Sequence, residues 1–179
     1  MTDEVIMEAV KNGNLQEATL LFERYNKRIF HFLARMTMDR DLAEDLTQNV
    51  FLRIIKYRLT YREGTSFQAW IYQIARNVFS DHYQSAKNRY SDFVDVEKVQ
   101  DRMADLDESQ AQNEKEALLE RSMARLTHEQ REILILTRFQ QMKYEAVAEL
   151  MDTTVANIKV KVHRALVRLR EHYFELEKI

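Results

Sequence analysis

Apolar residues recur at steps of three and four along much of the chain, and that spacing predicts a series of helices. Thr2 or Asp3 can cap the first, which runs to about Lys11, where Asn12 and Gly13 stop it. Asn14 with Glu17 has the spacing of a capping box for the second. There Leu15, Ala18, Phe22, Tyr25, Ile29, Phe32 and Met36 form one long seam that must pack on other helices. Asp39 is the expected cap of a third helix, residues 40 to about 57. It buries Leu42, Leu46, Val50, Phe51 and Ile54 and leaves Asp41, Glu44, Asp45, Gln48, Asn49 and Arg53 on its polar side. Residues 59–65, with Gly64, read as a loop. Ser66 can cap a helix from Phe67 to about Ala86, with Phe67, Ile71, Ile74 and Val78 inward and Trp70 beside them.

The stripe then lapses. Residues 91–117 hold nine acids against three bases and few large apolar side chains, the composition of a linker between two helical domains. Helical spacing returns over residues 114–126 through Ala117, Leu118, Met123 and Leu126. Thr127 with Gln130 forms a second capping-box pattern ahead of Ile133, Leu134, Leu136 and Phe139. A short amphipathic helix over 144–151 follows, and Asp152, Thr153 and Thr154 interrupt it. Thr154 can cap a new helix starting at Val155 whose inward stripe is Ile158, Val162, Ala165 and Leu169.

Composition narrows the fold to all-α. Two glycines and no proline in 179 residues leave strands and hairpins without their usual punctuation, and 45% hydrophobic residues suffice for packed cores. The chain divides into a helical domain over 1–90, an acidic linker over 91–113 and a second helical domain over 114–179. Without cysteine there is no disulfide, thiolate metal site or cysteine nucleophile. The N-terminus is acidic and its apolar run too short for a signal peptide, and no stretch approaches the roughly 20 apolar residues of a membrane span. A cytoplasmic protein that inserts in no membrane is the simplest fit.

Charge gives the helix after Thr154 its interest. Between Thr154 and Arg170 there are five Lys or Arg and no acid, although the whole chain carries a formal net charge of -2. Its outward positions are Ala156, Val160, His163, Arg164 and Val167, flanked by Asn157, Lys159 and Lys161. A short helix, a tight turn and a longer basic helix make the pattern of a helix-turn-helix whose second helix enters the major groove. Lysines and arginines answer phosphates, Asn157, His163 and Arg164 can reach base edges, and Val160 can touch a thymine methyl. A plainly solvated basic face is the competing reading. Upstream, residues 56–90 hold six Lys or Arg against two acids and eight aromatics: Tyr57, Tyr61, Phe67, Trp70, Tyr72, Phe79, Tyr83 and Tyr90. Basic residues among rings beside a loop suit single-stranded nucleic acid. Most of these rings fit the core, and a minority is left to face solvent.

Two runs carry a family resemblance. DRDLAEDLTQNVFLRI at 39–54, followed by SFQAWIYQIARN at 66–77, closely resembles region 2 of bacterial sigma factors of the extracytoplasmic-function type. LTHEQREIL at 126–134, with residues 144–170, resembles region 4 of the same family. The resemblance covers nearly the whole chain in the right order, and it implies an RNA polymerase sigma factor that directs promoter recognition, -10 melting and transcription initiation. It implies that Asp45, Gln48, Asn49 and Arg53 dock on core RNA polymerase, where acid and amide groups can pair with arginines. It implies that Tyr61, Arg62, Ser66, Phe67 and Asn77 take up the opened strand of the -10 element, including a flipped base. It implies that Asn157, Lys159, Val160, Lys161, His163 and Arg164 read the -35 duplex. Core polymerase and promoter DNA, duplex and single-stranded, are then the partners. An anti-sigma factor is a further partner that the resemblance admits and no residue here marks. No cofactor or metal is implied.

The chain departs from the family pattern at Asn49, where Glu is frequent, and at Lys143, where a capping hydroxyl is frequent. Ala156 and Asn157 replace a frequent Gly-Thr pair, and Val160 a frequent small polar residue, so the -35 sequence cannot be borrowed from a relative. A free-standing regulator that reads paired half-sites as a dimer is the rival binding module. An enzyme is the third class. The five histidines, His31, His82, His128, His163 and His172, show neither H-x-x-x-H nor E-x-x-H spacing, and no Gly-rich phosphate loop exists.

Overall fold

In the computed structural model, which describes residues 1–89 and 112–179, every regular element is helical and the helices form two compact units. The first holds α1 (Asp3–Lys11), α2 (Ala18–Thr37), α3 (Arg40–Lys56) and α4 (Phe67–Arg89). The second holds α5 (Gln112–Ala124), α6 (His128–Leu134), α7 (Tyr144–Leu150) and α8 (Val155–Glu177). The expected acidic linker falls almost wholly outside the described residues; its last two, Gln112 and Asn113, begin α5.

In unit 1, α2, α3 and α4 pack on one another and α1 lies against α2 and α4. Ile6, Met7 and Val10 of α1, Leu21, Ile29, Phe32 and Leu33 of α2, Val50 and Ile54 of α3, and Ile71, Tyr72 and Val78 of α4 are fully buried. Each large apolar side chain taken out of water stabilises the unit by about 1.5–3 kcal/mol before conformational entropy is counted. Thr2 caps α1 and Asp39 caps α3, their side chains accepting from Val5 N–H at 3.3 Å and Leu42 N–H at 3.2 Å.

The start of α2 differs from the expected capping box. Asn14 makes no side-chain cap bond, and Leu15–Glu17 form a 3-10 turn instead. That tighter turn takes Leu15 off the helical seam, so it stays 43% exposed. Phe22 is 45% exposed as well, because the buried face of α2 is centred on Leu21, Tyr25, Ile29 and Leu33. Its ring sits at the boundary, edge-on to Phe51 with centroids 4.9 Å apart. On α3 the face turns in the same sense. Ala43 and Thr47 are buried, Leu42 and Phe51 only half-buried, and the Thr47 hydroxyl donates back to the Ala43 carbonyl at 2.6 Å.

In unit 2, α5, α6 and α7 all pack on α8. Thr127 and Gln130 form the expected reciprocal capping box. Beyond α6 the chain widens into a π-helical turn, Ile135–Phe139, closed by Gln140 N–H donating to the Ile135 carbonyl at 2.8 Å. Under the box lies Arg131, which periodicity did not single out. Its guanidinium is buried and donates to the Met123 and Ala124 carbonyls at 3.1 Å and to the Leu126 carbonyl at 3.3 Å. It thereby satisfies the C-terminal carbonyls of α5, which a helix leaves without internal donors. Burial lowers its pKa from the usual arginine range.

Candidate nucleic-acid interface

The turn between α7 and α8 is short, residues 151–154. Asp152 takes a left-handed backbone, φ 53°, and Thr153 N–H donates to the Ala148 carbonyl at 2.9 Å. An aspartate tolerates this region better than most side chains, which explains a turn without glycine. Thr154 then caps α8, its hydroxyl accepting from Asn157 N–H at 3.1 Å, while the Asn157 amide donates to the Thr153 hydroxyl at 2.7 Å. Lys143, at the start of α7, makes no side-chain cap bond.

Ile158, Val162 and Ala165 bury the inner face of α8. Its outer face is open: Ala156, Asn157, Lys159, Val160, His163 and Arg164 are exposed. Lys161 differs from its neighbours, because its ammonium pairs with Glu129 of α6 at 2.5 Å. Further along, Arg168, one of the five bases, pairs at 2.7 Å with Glu171, which follows the acid-free stretch. His128, one residue before Glu129, is half-buried; burial first, and the charge of Arg131 second, lower its pKa.

The loop that joins α3 to α4 is built from below. After a 3-10 turn, Arg58–Thr60, the Tyr61 ring turns inward and is 2% exposed. It packs edge-on to Trp70, with centroids 5.2 Å apart, and its hydroxyl donates to the Thr65 carbonyl at 2.6 Å. Burial raises the Tyr61 pKa, so the hydroxyl stays a donor. Phe67 is fully buried, its ring edge-on to Tyr25 at 5.2 Å. Both rings, expected to contact the opened strand, are thus packed in the core of unit 1 and expose almost none of their surface. Gly64 has φ 82°, where a glycine is the natural choice, and Arg62, Glu63, Thr65 and Ser66 are exposed around it. Ser66 caps α4 by accepting from Ala69 N–H at 3.3 Å.

Asn77 is exposed, and its carbonyl oxygen accepts from the Gln73 amide at 3.1 Å. It stands on the same side of α4 as Ser66 but eleven residues on, about 16 Å along the axis at about 1.5 Å per residue. The loop and Asn77 therefore share a stripe, not a pocket. Two rings that do face solvent are Tyr57, 44% exposed, and Tyr83, 39% exposed. Lys56 lies over the first and Phe79 stacks on the second.

On α3 the polar face divides in two. Asp45 and Gln48 are exposed, whereas Asn49 and Arg53 are half-buried and bonded to each other, with Arg53 also reaching α4. Arg53 Nε donates to Asn49 Oδ1 at 3.3 Å, and the guanidinium pairs with Asp81 at 3.0 Å. In line with Asp45 and Gln48, at the next helical step, stands Leu52, 69% exposed. The sequence reading missed it; the signal was an apolar residue placed four positions after Gln48 on a polar face.

Among the described residues no cluster of His, Cys, Asp and Glu could hold a metal ion, and no helix is long and apolar enough to cross a membrane. Residues 21–89 match the family described as Sigma-70 region 2, and residues 116–169 match that described as Sigma-70, region 4. The chain is 30% identical over 175 residues to the RNA polymerase sigma factor CarQ of Myxococcus xanthus, covering 96% of this chain and 97% of that one. It is 29% identical over 154 residues to the ECF RNA polymerase sigma factor SigM of Bacillus subtilis, covering 86% and 93%. Among solved structures, the sigma factor RpoE of Bartonella quintana, in complex with the anti-sigma factor NepR, shares the fold with a TM-score of 0.66 at 24% identity, over 86% of this chain and 94% of that one. CnrH, in complex with the cytosolic domain of CnrY, does so with a TM-score of 0.70 at 15% identity, over 94% and 95%.

Proposed function

Because this chain belongs to the sigma-70 family of RNA polymerase sigma factors, in its extracytoplasmic-function branch, we propose that its two units divide the work of promoter recognition. Unit 1 holds core polymerase and an opened -10 strand, and unit 2 holds closed -35 duplex. The observation that supports this best is the outer face of α8, where Asn157, Lys159, Val160, His163 and Arg164 are open to solvent while Ile158, Val162 and Ala165 are buried. Lysine and arginine there meet phosphates, and Asn157, Val160, His163 and Arg164 meet base edges. Lys161 joins them when phosphate displaces Glu129.

Asp45 and Gln48 make the first contact with polymerase, with Leu52 as an apolar anchor beside them. Asn49 and Arg53 hold the face in shape and join the contact by exchanging partners. Arg62 and Ser66 border the extruded -10 base, and Asn77 meets a different nucleotide of the same strand. Flipping a base out costs a few kcal/mol of unstacking, which contacts made only with the opened strand offset. The chemistry of RNA synthesis belongs to polymerase, so the chain acts as a non-enzymatic initiation factor in the cytoplasm. The Bartonella relative was solved with an anti-sigma factor, and an inhibitor of that kind is the regulator expected for this chain.

Each unit alone binds weakly, and polymerase raises the effective concentration of one for its element once the other is bound. Core polymerase captured on the purified chain should therefore initiate from a promoter with paired elements. Tight binding of a palindromic duplex by the chain alone, with no capture of polymerase, would instead identify a free-standing dimeric regulator.

A further inference from the structure

The loop over residues 61–66 is held from outside the segment that matches region 2. That match begins at residue 21, after α1. Yet α1 grips both ends of the loop. At its leading end the Lys11 ammonium donates to the Tyr61 carbonyl at 2.7 Å. At its trailing end the Glu4 carboxylate accepts from the Phe67 backbone N–H at 3.1 Å. Glu4 and Lys11 are seven residues apart, two helical turns, so they lie on one face of α1 while Ile6, Met7 and Val10 anchor another in the core. A cleft of about 180 Å³ lies between α1 and the middle of the loop, bordered by Glu8, Asn12, Glu63 and Gly64.

The chemistry at each end suits a clamp. Phe67 N–H belongs to the first turn of α4, where a helix leaves its amides without internal acceptors, and a carboxylate is the acceptor such a helix end favours most. Glu4 supplies it from 63 residues away in sequence. Lys11 adds a charge-assisted bond to a carbonyl whose residue has its side chain locked in the core. Asp3 fixes the helix that carries both, pairing with Arg24 at 2.7 Å and accepting from the Tyr25 hydroxyl at 2.5 Å. Burial first, and that hydrogen bond second, raise the Tyr25 pKa, which keeps it a donor. Both ends of the loop are thus tied to α1, while its middle, Arg62 to Ser66, is exposed.

We propose that Glu4 and Lys11 are positioning residues for -10 recognition: α1 sets the geometry of the base-reading loop and so sets which base it prefers. The proposal rests on the assignment of that loop to the extruded base. The test uses holoenzyme assembled from the full chain and core polymerase, on four promoters that differ only at the extruded base. Lys11→Met and Glu4→Ala should each narrow the ratio between the best and worst base by roughly threefold or more, the scale of one lost hydrogen bond. Glu4→Gln, which keeps an acceptor, should retain most of the ratio. If both losses lower all four promoters equally, or leave the ratio at its parent value, α1 is merely structural and the proposal fails. Lys11→Met decides alone if Glu4→Ala does not fold. The paired Arg62→Ala and Ser66→Ala variant separates the two layers. A changed ratio there with no change in the α1 variants overturns only the clamp, whereas an unchanged ratio there removes the loop assignment itself.

Discussion

On α8, core and solvent faces alternate within one helix: Ile158, Val162 and Ala165 inward, Val160, His163 and Arg164 outward. The loop over residues 61–66 has no such internal logic. Its rings turn inward, its two ends are tied to α1, and the side chains left on the outside are those that the packing does not use. The first surface is thus a property of local periodicity, and the second a property of contacts between segments far apart in the chain. Damage should follow the same division, staying confined to a face in unit 2 and spreading across elements in unit 1.

The largest expected effect comes from a place where unit 2 also depends on a buried polar contact between elements. Arg131→Met should destabilise that unit by about 3 kcal/mol, since three carbonyls lose a buried charged donor. Thermal unfolding followed separately for the two units should show unit 1 unchanged; a loss shared by both would break the comparison. Next, Asp45→Arg should weaken binding to core polymerase by about tenfold or more, because the proposed attraction between this exposed acid and basic groups on polymerase becomes a repulsion. Polymerase pull-down measures it, and unaltered binding would remove α3 as the docking face.

Smaller changes sharpen the reading of α8. Arg164→Ala should cost about 1–2 kcal/mol on the preferred duplex in holoenzyme and relax preference at one base step, measured by competition between -35 variants. A uniform loss across sequences would make Arg164 a phosphate contact instead. Glu129→Gln should act in the opposite direction. Freeing Lys161 from its ion pair should tighten duplex binding by up to about 0.5 kcal/mol, since phosphate no longer has to displace Glu129. Unchanged affinity would mean that the pair does not hold Lys161 back from phosphate.

The pH response should be the smallest effect. His128 has a folded pKa below its unfolded value, for burial first and Arg131 second. The unfolded chain therefore binds the extra proton more readily. The contribution of His128 to stability is complete above the ordinary histidine pKa of about 6.5 and is lost as pH falls from there through the folded value. Chemical unfolding of unit 2 at neutral and mildly acid pH should show this loss, and His128→Gln should reduce it.

Several of these sites were visible in the order of residues alone. The Thr127 and Gln130 box, the Thr154 cap and three of the four inward positions of α8, with Leu169 only half-buried, are short-range features, each decided within a turn or two. Leu15 and Phe22 show the limit: they sit at the right spacing, but a 3-10 turn and the position of the partner helices leave them partly exposed. Tyr61 and Phe67 show a second limit. Aromatic rings beside basic residues fit a core as well as a nucleic-acid surface, and only the placement of Tyr25 and Trp70 against them selects the core.

What the sequence determined by itself is therefore the all-helical class, the caps, the turn before α8 and the sign of charge on its outer face, all set by interactions within a few residues. Tertiary structure alone decided that Arg131 closes α5, that Arg53 pairs with Asp81 of α4, and that Glu4 and Lys11 hold the loop. Hydrogen bonds and ion pairs act over about 3 Å and take no account of separation along the chain, so their partners are known only once the helices have packed.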